Sequence, residues 1–369
     1  MRFRILVPVL LALLCSVSPV AAAPTYSGEQ TLWKDTVWKG EVLVDGVLTV
    51  APGVTLTIRP GTLVRFTFRD TNGDGIGENE IFIQGILRAV GSDEAPIRFT
   101  SAAPHPVPGA WGAINMMMSE EENVLAHSIV EYGYRGFHAH FARAAIRDSD
   151  FRRNLRGLQF QESTVSVARC RIEDNLNGLQ FRDSTVSLRD SVVTGSYWGV
   201  RGVYNELMLS NCRIENNLIN GVNMRDSTLN VSDSLISGNR RGLYVQRTKL
   251  TVENSLLTDN SEHGLYLEDA EGVVRGNRIG GNGRTGIRAL GFSGEIVGND
   301  LSGNGEYSLQ NDGPAAIAAL GNWWGTADAA RIAALIRDDW DRPGIGPVNA
   351  VAPLNEAPAE LPEKRTGGI

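Results

Sequence analysis

Apolar and polar residues alternate with a period of two in short runs along most of this chain, and turn-forming residues separate the runs. From residue 136 to about 304 the runs come in threes. One run follows each of eight glycines, Gly136, Gly157, Gly178, Gly199, Gly221, Gly242, Gly264 and Gly286, spaced 21 or 22 residues apart. Its inward positions begin with Phe137, Leu158, Leu179, Val200, Val222, Leu243, Leu265 and Ile287. A polar step leads to a second alternating pair, such as Val165/Val167 or Leu250/Val252. A third short run carries Ile172, Val193, Ile214, Ile236, Leu257, Ile279 and Leu301. Each run is a strand with one face inward, and three strands per repeat predict one coil of a solenoid in which stacked neighbours complete the core. Leucine-rich repeats share the period, but their L-x-x-L-x-L-x-x-N frame is absent and no helix fits within the unit. The fold class expected is all-β: a single-stranded right-handed parallel β-helix with a short capping helix at its C-terminal end.

Asparagine precedes most of the glycines by three or four residues, as Asn154, Asn175, Asn217, Asn239, Asn260 and Asn282; Asn304 continues the column, and Ser196 breaks the series. Asn tolerates the left-handed backbone of a sharp corner and its amide can bond the coils above and below, so the column reads as scaffold. Residues 23–135 alternate as strongly but turn less regularly, which predicts an N-terminal cap and first coils, with Trp33 and Trp38 as parts of the cover. Regular coils fill 136–321. The segment "GNWWGTADAARIAALIRDDW" predicts a C-terminal cap over 322–355. Thr326 is expected there as N-cap, with Ile332, Leu335, Ile336 and Trp340 at helical spacing. Residues 356–369, rich in Pro and charge, read as a disordered tail.

Met1 to about Ala22 has the layout of a secretory signal: Arg2 and Arg4, an apolar stretch over Ile5–Leu14, and small residues at Ala21 and Ala22. Cys15 follows Leu14 where lipidation signals want a small residue, so ordinary cleavage is the expectation. The formal charge of −7 becomes about −9 without the leader, which argues against nucleic acid as a partner. No second apolar segment long enough to span a membrane follows. Export to the periplasm, cell surface or medium is expected. Cys170 and Cys212 occupy the same repeat position two coils apart, so their Cα atoms fall nearly 10 Å apart and no disulfide between them is expected.

The phrases "PGVTLTIRPGTLVRF", "GILRAVGSDEAPIRFTS" and "PGAWGAI", the repeats, and the closing "GNWWGT" together resemble secreted bacterial proteins of the pectin-lyase-like superfamily. Within it the chain is similar to members with generic parallel β-helix repeats, associated with carbohydrate binding and sugar hydrolysis. The resemblance covers about residues 30–355. It implies the scaffold well and the chemistry poorly, because the superfamily hosts lyases, hydrolases, epimerases, adhesins and non-catalytic members.

The sharpest ligand signal is "DTNGDGIGENE". Asp70, Asn72 and Asp74 alternate before Gly75, as at the start of an EF-hand calcium loop. Ile76 offers a carbonyl. The twelfth position is Ile81, so Glu78 or Glu80 has to complete the shell. The flanking strands predict a calcium-stapled hairpin, with a solvated acidic turn as the alternative. The outward face of the first strand presents His138, Gln159, Gln180, Arg201, Asn223, Tyr244, Tyr266 and Arg288, and beside them His140, Gln161, Arg182, Val203, Arg225, Gln246, Glu268 and Leu290. Planar amides and guanidinium groups suit sugar hydroxyls and carboxylates, and exposed rings stack on sugars. The polysaccharide contacts expected are Gln159, Gln180, Arg182, Arg201, Asn223, Arg225, Tyr244 and Tyr266.

Hydrolysis needs two carboxylates. Glu162 and Asp183 share one repeat position on adjacent coils, about 4.8 Å apart at the backbone, near the roughly 5–5.5 Å of retaining glycosidases. Asp226 and Asp269 occupy the same column, and an Asx-type turn explains all four better than catalysis does. His138 and His140 alternate as a zinc or copper pair would, without an evident third ligand. Trp323 and Trp324 fit core closure better than sugar binding. The functional expectation is a calcium-stabilised, exported β-helix that binds extracellular or cell-envelope polysaccharide, non-catalytically. The alternatives are a polysaccharide lyase or glycoside hydrolase acting on the first-strand face, and a protein-binding surface scaffold.

Overall fold

A computed structural model describes residues 23–359; the expected leader over 1–22 and the tail from 360 on lie outside the described residues. Every strand pairing is parallel, and the chain winds through about 13 turns of one solenoid with three sheets along its sides. The first sheet includes Gly133–His140, Arg156–Gln161, Asn177–Arg182, Trp198–Val203, Asn220–Arg225 and Arg241–Gln246. The second includes Arg143–Arg147, Thr164–Ala168 and Thr185–Arg189, and the third Asp150–Arg152, Arg171–Glu173 and Val192–Thr194. The register follows the repeat: His138, Gln159, Gln180, Arg201, Asn223, Tyr244, Tyr266, Arg288 and Gln310 are successive partners in one row. The inward column from Phe137 to Ile287 has no exposed surface.

Each corner is stitched by side chains that copy the backbone bonds of the sheets. At the corner between the third and first sheets, Asn154 N donates to Asn175 Oδ1 (2.9 Å), and the same step recurs from Asn239 to Asn260 and from Asn260 to Asn282. Two further ladders stand at the other corners. One runs from Ser163 to Ser184 and Asn205. The other runs through Ser191, Ser234, Ser255, Asn277, Asn299 and Asn322. Cys170 and Cys212 belong to this last column. They are free and buried, and burial pushes both thiols up to about 12, which keeps them as unreactive thiols in place of serine.

Three local expectations are corrected. Coiling is already established at Thr25–Leu32, which pairs along its length with Glu41–Val50. Trp38 closes that end, its Nε1 donating to Tyr26 Oη (3.0 Å), whereas Trp33 is exposed. Leu63–Phe66 and Glu80–Ile83 both pair with Glu41–Val50, as members of the third and first sheets; the loop between them bulges from a corner and no hairpin forms. At the C-terminal end the helix is only Ala329–Ala334. Its N-cap is Asp328, which accepts from Arg331 N (2.9 Å), while Thr326 Oγ1 accepts from Asp328 N (3.2 Å). The helix stops there because Ile336 is captured by the sheet edge beside Leu309. Trp324, Ile332 and Ile336 close the core, and Trp340 is exposed. No helix among the described residues is long and apolar enough to cross a membrane.

Candidate functional site

The outer face of the first sheet gathers the chemistry. Alternation turns one row of side chains outward on every coil, and coil stacking sets them in file at about 4.8 Å. Gln159, Gln180 and Asn223 are half-buried, while Arg182, Arg201 and Arg225 are exposed. A further row, missed in the sequence, lies beside it: the residue before each repeat glycine folds over the face. Arg156 Nη1 donates to Gln159 Oε1 (2.8 Å), Asn177 Nδ2 to Gln180 Oε1 (3.3 Å), and the Arg201 guanidinium lies 5.4 Å from the Trp198 ring. The signal was legible in the sequence, because that column reads Arg135, Arg156, Asn177, Trp198, Asn220, Arg241 and His263, with no aliphatic residue in it.

Toward the C-terminal end the aromatic expectation fails in part. Tyr266 is only 8% exposed. Tyr244 stacks on it at 5.0 Å, and Arg241 and Arg288 lie 5.6 and 4.9 Å from its centroid, so its faces are already occupied. Tyr244 is half-buried and donates to Glu268 Oε1 (3.0 Å); burial, then that carboxylate, push its phenol up to about 12. The pair is a structural stack held by guanidinium groups, and a sugar ring has no free face on Tyr266.

Toward the N-terminal end His138, expected to point into solvent, is 5% exposed. Its Nδ1 lies 2.8 Å from Asn115 Oδ1, and Asn115 Nδ2 donates to the Glu80 carboxylate (3.2 Å). Burial raises the Glu80 carboxyl above its ordinary range. His140 is half-buried and stacks on Phe141. No group of three or more His, Cys, Asp or Glu side chains able to hold a metal occurs among the described residues, so the two histidines are not joined by a third such ligand.

Glu162 and Asp183 stand in left-handed backbone (φ 48° and 49°) at the corner after the first sheet, as do Asp226 and Asp269. They are engaged separately: Glu162 lies 3.9 Å from His140 Nε2, and Asp183 accepts from Arg182 Nε (2.9 Å). In the acidic loop, Asp70 accepts from Gly73 N (2.7 Å) and Gly75 N (2.9 Å), and the amide at Gly75 foremost holds its carboxyl below the usual range. Asn72 Oδ1 accepts from Asp74 N and Asp74 Oδ1 from Ile76 N, while Glu78 accepts from Thr71 Oγ1. Glu80 is directed to Asn115 on the sheet face, because alternation in Glu80–Ile83 turns it there.

Residues 156–304 match the family model described as a right handed beta helix region. Among solved structures, a double mutant of the periplasmic alginate epimerase AlgG is 15% identical, with 85% of this chain and 76% of that chain covered at a TM-score of 0.51. The A-module of the mannuronan C-5 epimerase AlgE6 from Azotobacter vinelandii is 13% identical (89% and 91% covered, TM-score 0.42). PfbA, a surface adhesin of Streptococcus pneumoniae, is 9% identical (85% and 82% covered, TM-score 0.41). At these identities the likeness is one of fold. Comparison with curated protein sequences gives no match.

Proposed function

We propose that this chain, a right-handed parallel β-helix protein of the pectin-lyase-like superfamily, is exported and binds an extended polysaccharide along the outer face of its first sheet without turning it over. The observation that carries this is the file of planar donors on that face. Gln159, Gln180, Arg201 and Asn223 stand in one row with Arg182 and Arg225 beside them. From Gln159 to Tyr244 the row advances four coils, about 19 Å. A repeating ligand meets the same kind of donor at every step, and bidentate guanidinium and amide groups match hydroxyl pairs or carboxylates. A binding role fits better than hydrolysis because Glu162 and Asp183 stand at a corner, away from the row, and Asp183 is paired with Arg182. One structural neighbour, at a TM-score of 0.51, is by its name an alginate epimerase.

The test is a glycan array, followed by calorimetry on the hits and assays for reducing ends and unsaturated products. The expected result is binding without turnover. Arg201→Ala with Arg225→Ala should weaken it at least about tenfold, or 1.4 kcal/mol, while the melting curve stays unchanged. Turnover would favour a lyase or hydrolase, and silence on every glycan would leave a protein-binding scaffold.

Calcium is the second part of the proposal, at Asp70, Asn72, Asp74, the Ile76 carbonyl and Glu78; because no three carboxylates among the described residues stand grouped as a metal site and Glu78 is turned to Thr71, these side chains would have to close around the ion. The loop's amides already preset the Asp70 and Asp74 oxygens, each of which keeps a further lone pair. Glu80, engaged by Asn115, is left out of the set. At a hundredfold excess over Kd the ion should stabilise the protein by about 2.7 kcal/mol. Melting with calcium and with chelator checks this; superimposable curves, with no metal in native mass spectra, would remove calcium from the proposal.

A further inference from the structure

The two ends of the solenoid are finished differently. The C-terminal end is closed by Ala329–Ala334, with Trp324, Ile332 and Ile336 buried. At the N-terminal end, among the described residues, the outermost coil is Thr25–Leu32 and Thr36–Trp38. These strands pair on one side only, with Glu41–Val50 and Thr55–Ile58. The column Gln30, Leu48, Ile81 shows the consequence. Leu48 and Ile81 have no exposed surface, whereas Gln30, at the same inward position one coil out, is exposed.

The free edge has a defined pattern. Leu43 N donates to Pro24 O (3.0 Å) and Ala51 N to Leu32 O (3.1 Å), so in this parallel ladder the even-numbered residues of Thr25–Leu32 bond to the next coil. Thr25, Ser27, Glu29 and Thr31 therefore direct their backbone N–H and C=O out of the end. Gln30 Nε2 takes the Ser27 carbonyl (3.0 Å), which leaves Glu29 and Thr31 as the open stretch. Natural edges are blunted by lysine, proline or a bulge. Thr25–Leu32 contains no lysine or proline, and its register with Glu41–Val50 runs unbroken. Such an edge is a template for one more strand.

The strand that fits it is its own copy. An antiparallel pair about a two-fold axis at Gln30 sets Glu29 against Thr31 of the other copy, and Thr31 against its Glu29, each pair exchanging both backbone bonds. Gln30 then faces itself across the axis. An amide both donates and accepts, so the two inward Gln30 side chains complete each other where the cores meet. Glu29, the one charge of the strand, comes to the corner that carries Lys34 of the other copy, beside Trp33, which is 76% exposed. A head-to-tail stack would have to displace Ala329–Ala334 first.

We infer that the protein forms a two-fold dimer joined through its N-terminal ends, in which Glu29–Thr31 of the two copies continue the first sheet from one solenoid into the other. The outer faces of the two first sheets then meet end to end. The dimer stands or falls independently of what those faces bind.

The experiment is light scattering of the purified protein over a dilution series, with amine cross-linking of mixed light and heavy-isotope copies. The lysines are Lys34, Lys39, Lys249 and Lys364, so links between light and heavy copies report which ends meet. The expected result is twice the single-chain mass, falling to one copy on dilution, with Lys34 linked to Lys34 or Lys39 of the other copy. Thr31→Pro removes an outward N–H that the chain's own ladder does not use, and should give the single-chain mass with an unchanged circular dichroism spectrum. Glu29→Pro should do the same, and Thr31→Val, which keeps the N–H, should leave the dimer intact. A single-chain mass at every concentration, links between copies that join Lys34 to Lys364, or a doubled mass that persists in both proline variants overturns the dimer. Residues 1–22 retained and protected from protease in a single-copy product would overturn it too, by making the leader the strand that covers the edge.

Discussion

Asn239→Ala is expected to cost about 3–5 kcal/mol, a large share of a protein's net stability, although the residue touches no ligand surface. Asn239 is 1% exposed. Its Oδ1 accepts from Asn217 N (2.9 Å) and Asn217 Nδ2 (3.1 Å). Its Nδ2 donates to Ile214 O (3.1 Å), Ser237 O (3.0 Å) and Asn260 Oδ1 (3.2 Å). Alanine takes an acceptor from the Asn217 N–H and a donor from the Ile214 carbonyl, in a corner with no room for bulk water. The loss also cuts the ladder between coils, and in a solenoid the nearest-neighbour interface is a main source of stability. Urea denaturation of the variant, compared with Asn230→Ala on the exposed side of the second sheet, gives the measurement. The exposed change should stay within about 0.5 kcal/mol; similar curves for the two variants would show that the corner amides are dispensable.

Gly178→Ala should destabilise by about 3 kcal/mol, by excluded volume. A Cβ at Gly178 would stand 2.5 Å from the Gly199 carbonyl oxygen and 2.9 Å from Val193 Cγ1. The nearest obstacle is the backbone of the next coil. Relief requires the stack to open, which overpacking a side chain against flexible neighbours does not. The same urea titration reads the effect, and a midpoint unchanged from wild type would mean that coils can spread at the corner without loss.

These two positions mark what was legible from the sequence. The glycine period, the apolar alternation and the Asn column fixed the number of sheets, the register and the inward set, because a solenoid repeats one local solution and contacts join residues a constant distance apart in the chain. Phe137 to Ile287 face inward as alternation requires. The Ser and Asn ladders at the other two corners were less visible, because Ser, Cys, Thr and Asn alternate in those columns and no single residue type announces them.

The candidate site was legible only as a list of outward positions. Alternation says that His138 and Tyr266 leave the core, and it is right; whether they meet solvent depends on what folds over them from neighbouring coils. Tyr266 is covered because Tyr244, Arg241 and Arg288 converge on it from the coils on both sides. His138 is buried with Asn115 and Glu80 behind it, partners from less regular coils that no repeat frame could align. Glu80 was counted with the calcium loop because it is adjacent in sequence, but strand alternation turns it onto the sheet face. The sequence by itself determined the coil, its period and which side of each strand is dry, since those depend on local pattern and stacking. The tertiary structure decided which outward groups stay exposed and beside which charges, since that depends on side chains from different coils meeting in space.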